Sequence, residues 1–181
     1  KRSKRGAKAT CDDCHDTHFF SVPPRGTAKR TAWRLTVPKV CGESCHDDVL
    51  EDYAGSVHGV AVLENGNPKA AICTDCHTSH GIAKTTSDTT ELLFVENCGG
   101  CHKERLKTYR DTYHGQVGQL GYAYTAKCFD CHGSHDMRKV DDPESMVYVA
   151  NRLETCQQCH DGKTRGLATA GFVTYSPHAN P

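Results

Sequence analysis

The chain has 181 residues, 36% of them apolar, and a mean hydropathy of −0.63, too little apolar side chain for a large core of its own. Its 22 basic and 22 acidic residues balance only overall, since residues 1–34 carry nine basic and three acidic side chains, about +6, and the rest about −6. With no basic stripe beyond the first residues and no run of eighteen apolar ones, neither nucleic-acid binding nor a transmembrane segment is expected.

In chain order, a basic segment over residues 1–10 holds Lys1, Arg2, Lys4, Arg5 and Lys8. It reads as a solvated tail, or as an end that docks on an acidic surface of a partner or of another copy. Cys11-Asp12-Asp13-Cys14-His15 follows, with His18 three residues on, and Pro23-Pro24-Arg25-Gly26 reads as a turn. Cys41-Gly42-Glu43-Ser44-Cys45-His46 has three residues between its cysteines, where the other sites have two. Residues 45–58, from Cys45 to His58, contain no proline and abut Gly59, so a helix stopped by glycine is predicted. The apolar run 57–63 and the turn Asn65-Gly66-Asn67-Pro68 precede Cys73-Thr74-Asp75-Cys76-His77 and His80. A polar connector over 85–90 and an apolar run over 92–95 lead to Cys98-Gly99-Gly100-Cys101-His102. Residues 101–114 repeat the proline-free pattern, ending at His114 and Gly115. Tyr53 and Tyr109 stand five residues before His58 and His114 and are read as packing residues. Cys128-Phe129-Asp130-Cys131-His132, His135 and a turn at 141–143 come next, then a predicted helix over 146–159. That helix carries Cys156-Gln157-Gln158-Cys159-His160, and the last histidine is His178. The remainder is expected to be loop.

Two cysteines a short step apart with histidine directly after the second is the pattern of covalent haem c attachment. The sulfurs add to the porphyrin vinyl groups and the histidine becomes the proximal iron ligand. Six such sites consume all twelve cysteines. A disulfide framework gives no reason for the six histidines, and zinc sites would need the pairs combined in fours or completed by spaced histidines. The other six histidines, His18, His58, His80, His114, His135 and His178, match in number the six distal positions. They follow their motifs at a short and a long distance in alternation, an internal repeat of two-haem units. A single domain over 1–181 is therefore expected, with repeats at about 11–58, 73–114 and 128–178. The macrocycles would be its core. The expected fold is mostly irregular, with short α-helices wrapped around a haem chain and little or no β-sheet, and the apoprotein is expected to be largely unfolded.

An unbroken helix would place His58 about 18 Å along its axis from His46, too far for one iron. Spare histidines are therefore expected to serve haems of other motifs. His178, behind a glycine-containing connector, is the exception that could serve its own haem or another subunit.

Over about residues 11–178 these motifs resemble the multihaem c-type cytochromes. The resemblance implies a bis-histidine hexahaem electron carrier, similar to periplasmic multihaem carriers and extracellular cytochrome filaments, with six haem c and no enzyme activity. Implied partners are other redox proteins or multihaem cytochromes, or copies of the chain joined through complementary charged ends. Haem c is attached outside the cytoplasm, so an extracytoplasmic location is expected, with an export signal once preceding this sequence. The alternative is a multihaem reductase of a small inorganic nitrogen or sulfur compound, which needs one open haem, often with a lysine ligand. Here every motif ends in histidine. Residues 176–181 also resemble the segment that precedes membrane helices in some quinone-linked multihaem cytochromes.

Overall fold

The computed structural model describes residues 9–15, 22–160 and 178; His18 and the connector from His160 to His178 lie outside them. About 56% of the described residues are helical and none is in a strand. The chain divides into two compact units, Lys1–Ser79 and His80–Pro181. The first contains α1 (Cys11–Cys14), α2 (Ala28–Ser44), α3 (Asp47–Gly55), α4 (Val57–Gly59) running into a π-helical turn (Val60–Glu64), and α5 (Cys73–His77). The second contains α6 (Asp88–Cys101), α7 (Lys103–Arg110), α8 (Tyr113–Gln119), α9 (Cys128–His132) and α10 (Arg152–Gln157). No helix among the described residues is long and apolar enough to cross a membrane.

Helix is thus more extensive than a mostly irregular chain would show, because α2 and α6 occupy ground expected to be loop. Each has a hydroxyl cap. Thr27 Oγ1 accepts the N–H of Arg30 at 3.1 Å, and Ser87 Oγ accepts that of Thr90 at 3.3 Å. α2 also tolerates Pro38, which cannot donate to the Arg34 carbonyl, and buries it fully. Beside it Val37 forms a small cluster with Val62 and Ile72, against which Trp33 and Leu35 pack. Among the described residues the buried hydrophobics are few: Val37, Tyr53, Val62, Ile72, Val95 and Ala123.

The two predicted continuous helices are broken. Ser56 and Thr112 adopt extended backbone, with ψ of 163° and 161°, and separate α3 from α4 and α7 from α8. Each hydroxyl donates to the preceding tyrosine carbonyl, Tyr53 O at 2.7 Å and Tyr109 O at 2.6 Å. Each also accepts from a glycine N–H, Gly59 at 3.0 Å and Gly115 at 3.1 Å, so a new helix starts where the old one ends. The glycines are not stop signals. They lie inside the new helices, and a Cβ on either would overlap the tyrosine carbonyl. Tyr53 and Tyr109 then tie each corner down, donating from Oη to Ala71 O at 2.8 Å and Ala126 O at 2.9 Å.

The predicted helix over 146–159 shrinks to α10. Side chains take the preceding carbonyls: Asn151 Nδ2 donates to Pro143 O and Ser145 O, both at 2.8 Å, and Arg152 Nε to Val147 O at 2.8 Å. Thr155 Oγ1 donates to Met146 O at 2.6 Å. Local side-chain bonds compete here with the helical ladder and hold the segment in turns.

Candidate haem sites

The attachment motifs come in two structural kinds. Those at Cys11, Cys73 and Cys128 begin a short helix, capped by the aspartate before the second cysteine. Asp13 accepts the N–H of Thr10 at 2.8 Å, Asp75 that of Ile72 at 2.8 Å and Asp130 that of Lys127 at 2.7 Å. The motifs at Cys41 and Cys98 instead end the long helices α2 and α6, and their histidines, His46 and His102, stand at the corners that open α3 and α7. A helix returns to the same face after three or four residues. Cys98 and Cys101 use the first step, and Cys41 and Cys45 the second, which gives the longer spacer a structural reason. In the sixth motif Cys156 lies in α10 and the His160 N–H returns to its carbonyl at 2.9 Å.

A cation holds the capping aspartate in each unit, but from different places. In the first, Arg34 on α2 makes a two-pronged contact with Asp75, at 3.0 and 2.6 Å, and donates to Pro68 O and Ala70 O, both at 3.0 Å. Burial pushes the Asp75 pKa up, and Arg34 together with the Ile72 N–H more than offsets it, leaving the carboxyl below its ordinary range. In the second unit the residue seven before the helix-ending cysteine is Glu91, where the first has Arg34. The cation is Lys127, in the place of Ile72. Only 6% exposed, it donates to Ala123 O at 2.7 Å and Thr125 O at 3.0 Å, and pairs with Glu91 at 3.2 Å and Asp130 at 3.4 Å. A buried lysine needs such company to stay charged.

His58 and His114 are each the second residue of the helix started by Ser56 or Thr112. His160 stands ring to ring with His114, centroids 5.9 Å apart at 42°, and His132 with His178 at 6.1 Å and 29°. Each pair joins a motif histidine to a spare one, and neither spare histidine meets its own motif. Two imidazoles on one iron, each nitrogen about 2 Å from the metal, put their ring centres about 6 Å apart. Burial lowers the pKa of His114, His132 and His178, reinforced by His160, His102 and His132 respectively. Neutral imidazole is the form that ligates metal. A cavity of about 450 Å³ adjoins the first pair, lined by His114, His160, Cys156, Cys159, Phe129 and Met146 among others. Both histidines and both sulfurs that one haem c would take at the sixth motif thus border one space, and the residues present fit that group. No cluster of three or more His, Cys, Asp or Glu placed to hold a metal occurs among the described residues. Haem iron asks only two ligands of the protein.

His15 lies by Trp33, ring centroids 6.4 Å apart at 14°, with the Arg30 guanidinium 4.7 Å from the indole centre. No disulfide joins the described cysteines, and successive motifs bring some of them together. Cys41 hydrogen-bonds Cys73, which lowers Cys41 to about 7 and raises Cys73. Cys98 and Cys128 share a thiol hydrogen bond, with Cys98 raised and Cys128 lowered. Burial, then the nearby Cys156, raises Cys131 to about 11.

Sequence reasoning passed over the capping aspartates, although their signal is readable: Asp13, Asp75 and Asp130 each precede the second cysteine of a motif followed by histidine at three residues. It also passed over Arg34, Lys127 and Thr108, whose partners lie far along the chain. No protein family, curated protein or solved structure matches this chain.

Proposed function

We propose that this chain is an extracytoplasmic electron-transfer protein carrying six covalent c haems, each held between two histidines. The observation that carries this reading is that two motif histidines, His160 and His132, stand beside the spare His114 and His178 at the spacing of two axial ligands, in a chain whose cysteines all fall in attachment motifs. When bound, haem iron supplies a one-electron couple whose potential the protein sets through ligands, hydrogen bonds and burial. His160 and His132 are the proximal ligands of the haems on Cys156/Cys159 and Cys128/Cys131, and His114 and His178 the distal ones. By the same logic His15, His46, His77 and His102 are proximal, and His18, His58, His80 and His135 distal. Ligands arriving from other motifs fasten neighbouring haems together, which suits hopping between them. With both faces of each iron taken, the role is transfer of electrons rather than reduction of a bound substrate. The scarcity of buried apolar side chains among the described residues supports short segments wrapped around macrocycles. Partners are other redox proteins or multihaem cytochromes, or further copies docked through the basic segment.

Intact mass under denaturing conditions tests the reading, with six haems expected. Five would remove Cys41/Cys45 as an attachment site, and none would overturn the proposal. A substantial high-spin ferric signal in the intact protein would favour the reductase.

A further inference from the structure

His178 Nδ1 lies 2.9 Å from the Thr108 hydroxyl on α7. That hydroxyl has one proton, and two other neighbours can only accept it: the carbonyls of Arg105 at 3.1 Å and Glu104 at 3.3 Å. Helical threonines commonly give their proton to these preceding carbonyls. With the proton so placed an oxygen lone pair faces His178, and the tautomer that matches it carries the ring proton on Nδ1 and leaves Nε2 its lone pair. The two nitrogens of imidazole are distinct, and a hydrogen bond at one decides the role of the other. The ring so fixed stands 6.1 Å from that of His132. In the first unit the residue before the equivalent tyrosine is Asp52, so this hydroxyl has no counterpart there.

Resting on the haem reading above, we propose that Thr108 is a positioning residue for the haem on Cys128 and Cys131. It holds His178 in the Nδ1–H tautomer, aims Nε2 at the iron and lowers the potential of that haem. The direction follows from chemistry. An N–H donated to oxygen makes the opposite nitrogen more basic, and a more basic ligand favours ferric iron.

The test uses the full haem-loaded chain with Thr108→Val, which keeps shape and removes the hydroxyl, and Thr108→Ser, which restores it. Redox titration and electron paramagnetic resonance are read on all three proteins. In Thr108→Val about one sixth of the titration amplitude should move to higher potential and one low-spin signal should change, while Thr108→Ser matches the wild type. One haem turning high-spin in Thr108→Val and recovering in Thr108→Ser would support the same assignment. Identical potentials and spectra in Thr108→Val and wild type would overturn it, as would a shift in Thr108→Ser as large as that in Thr108→Val. Six haems by mass in the wild type keep a failure here separate from a failure of the haem reading.

Discussion

His178 lies ring to ring with His132, 6.1 Å and 29° apart, across 45 intervening residues. On the proposed assignment, a ligand delivered from so far along the chain can be removed without touching the covalent anchor. His178→Ala should therefore keep six haems by mass while about one sixth of the ferric iron turns high-spin, and His114→Ala should do the same at the sixth motif. Wholly low-spin spectra in both variants would dismiss these pairs as ligands.

The Arg34–Asp75 contact is two-pronged and also gathers two carbonyls of the loop before the third motif. Arg34→Ala should cost about 1–2 kcal/mol, discounted because the pair is partly exposed. Arg34→Lys should recover less than half of that, since an ammonium cannot match the planar fork. Denaturant unfolding of the haem-loaded protein reads both. Lysine performing as well as arginine would show that only charge matters there.

The lowered pKa of Asp75 has a consequence in acid. A carboxyl whose folded value is depressed adds stability that is fully present above its unfolded value, ordinarily 3.8, and is lost as pH falls through the folded value. Asp75→Asn should then be less stable than wild type at neutral pH, with the gap closing below pH 3.8. A gap constant across the acid range would place the effect in the amide's packing instead.

Gly115 carries a steric requirement that Gly55 lacks. A Cβ at Gly115 would overlap the Tyr109 carbonyl, whereas one at Gly55 meets nothing. Gly115→Ala should destabilise by about 1–3 kcal/mol, and Gly55→Ala should be neutral or stabilise by about 0.5–1 kcal/mol. Thermal unfolding compares them, and equal effects would refute the close approach.

What could be read from the chain alone was whatever is written in adjacent residues. The attachment motifs, the matching number of spare histidines and the alternation of short and long gaps need no folding to be seen. Helix was legible over the proline-free 47–55 and 103–110 and missed in α2 and α6, both read as loop; α2 forms around Pro38 because tertiary burial prevails there. Ser56 and Thr112 were invisible as corners because each hydroxyl acts through its bond to a glycine that itself looked like a terminator. The helix over 146–159 failed for a related reason: Asn151, Arg152 and Thr155 offered the backbone nearer partners. Which histidine meets which could not be read at all, since His114 and His178 find their neighbours through the fold.

The exchange of Arg34 for Glu91, answered by Lys127 in the place of Ile72, makes the two halves of the repeat non-interchangeable. A hybrid carrying α2 with the 123–132 segment would set Arg34 beside Lys127, leaving two cations to share Asp130. The reciprocal hybrid would face Glu91 with Asp75 and put isoleucine between them, two carboxylates without a counter-charge. Shuffling these segments by recombination would therefore cost the hybrids stability even though every cysteine-pair motif survived the cut.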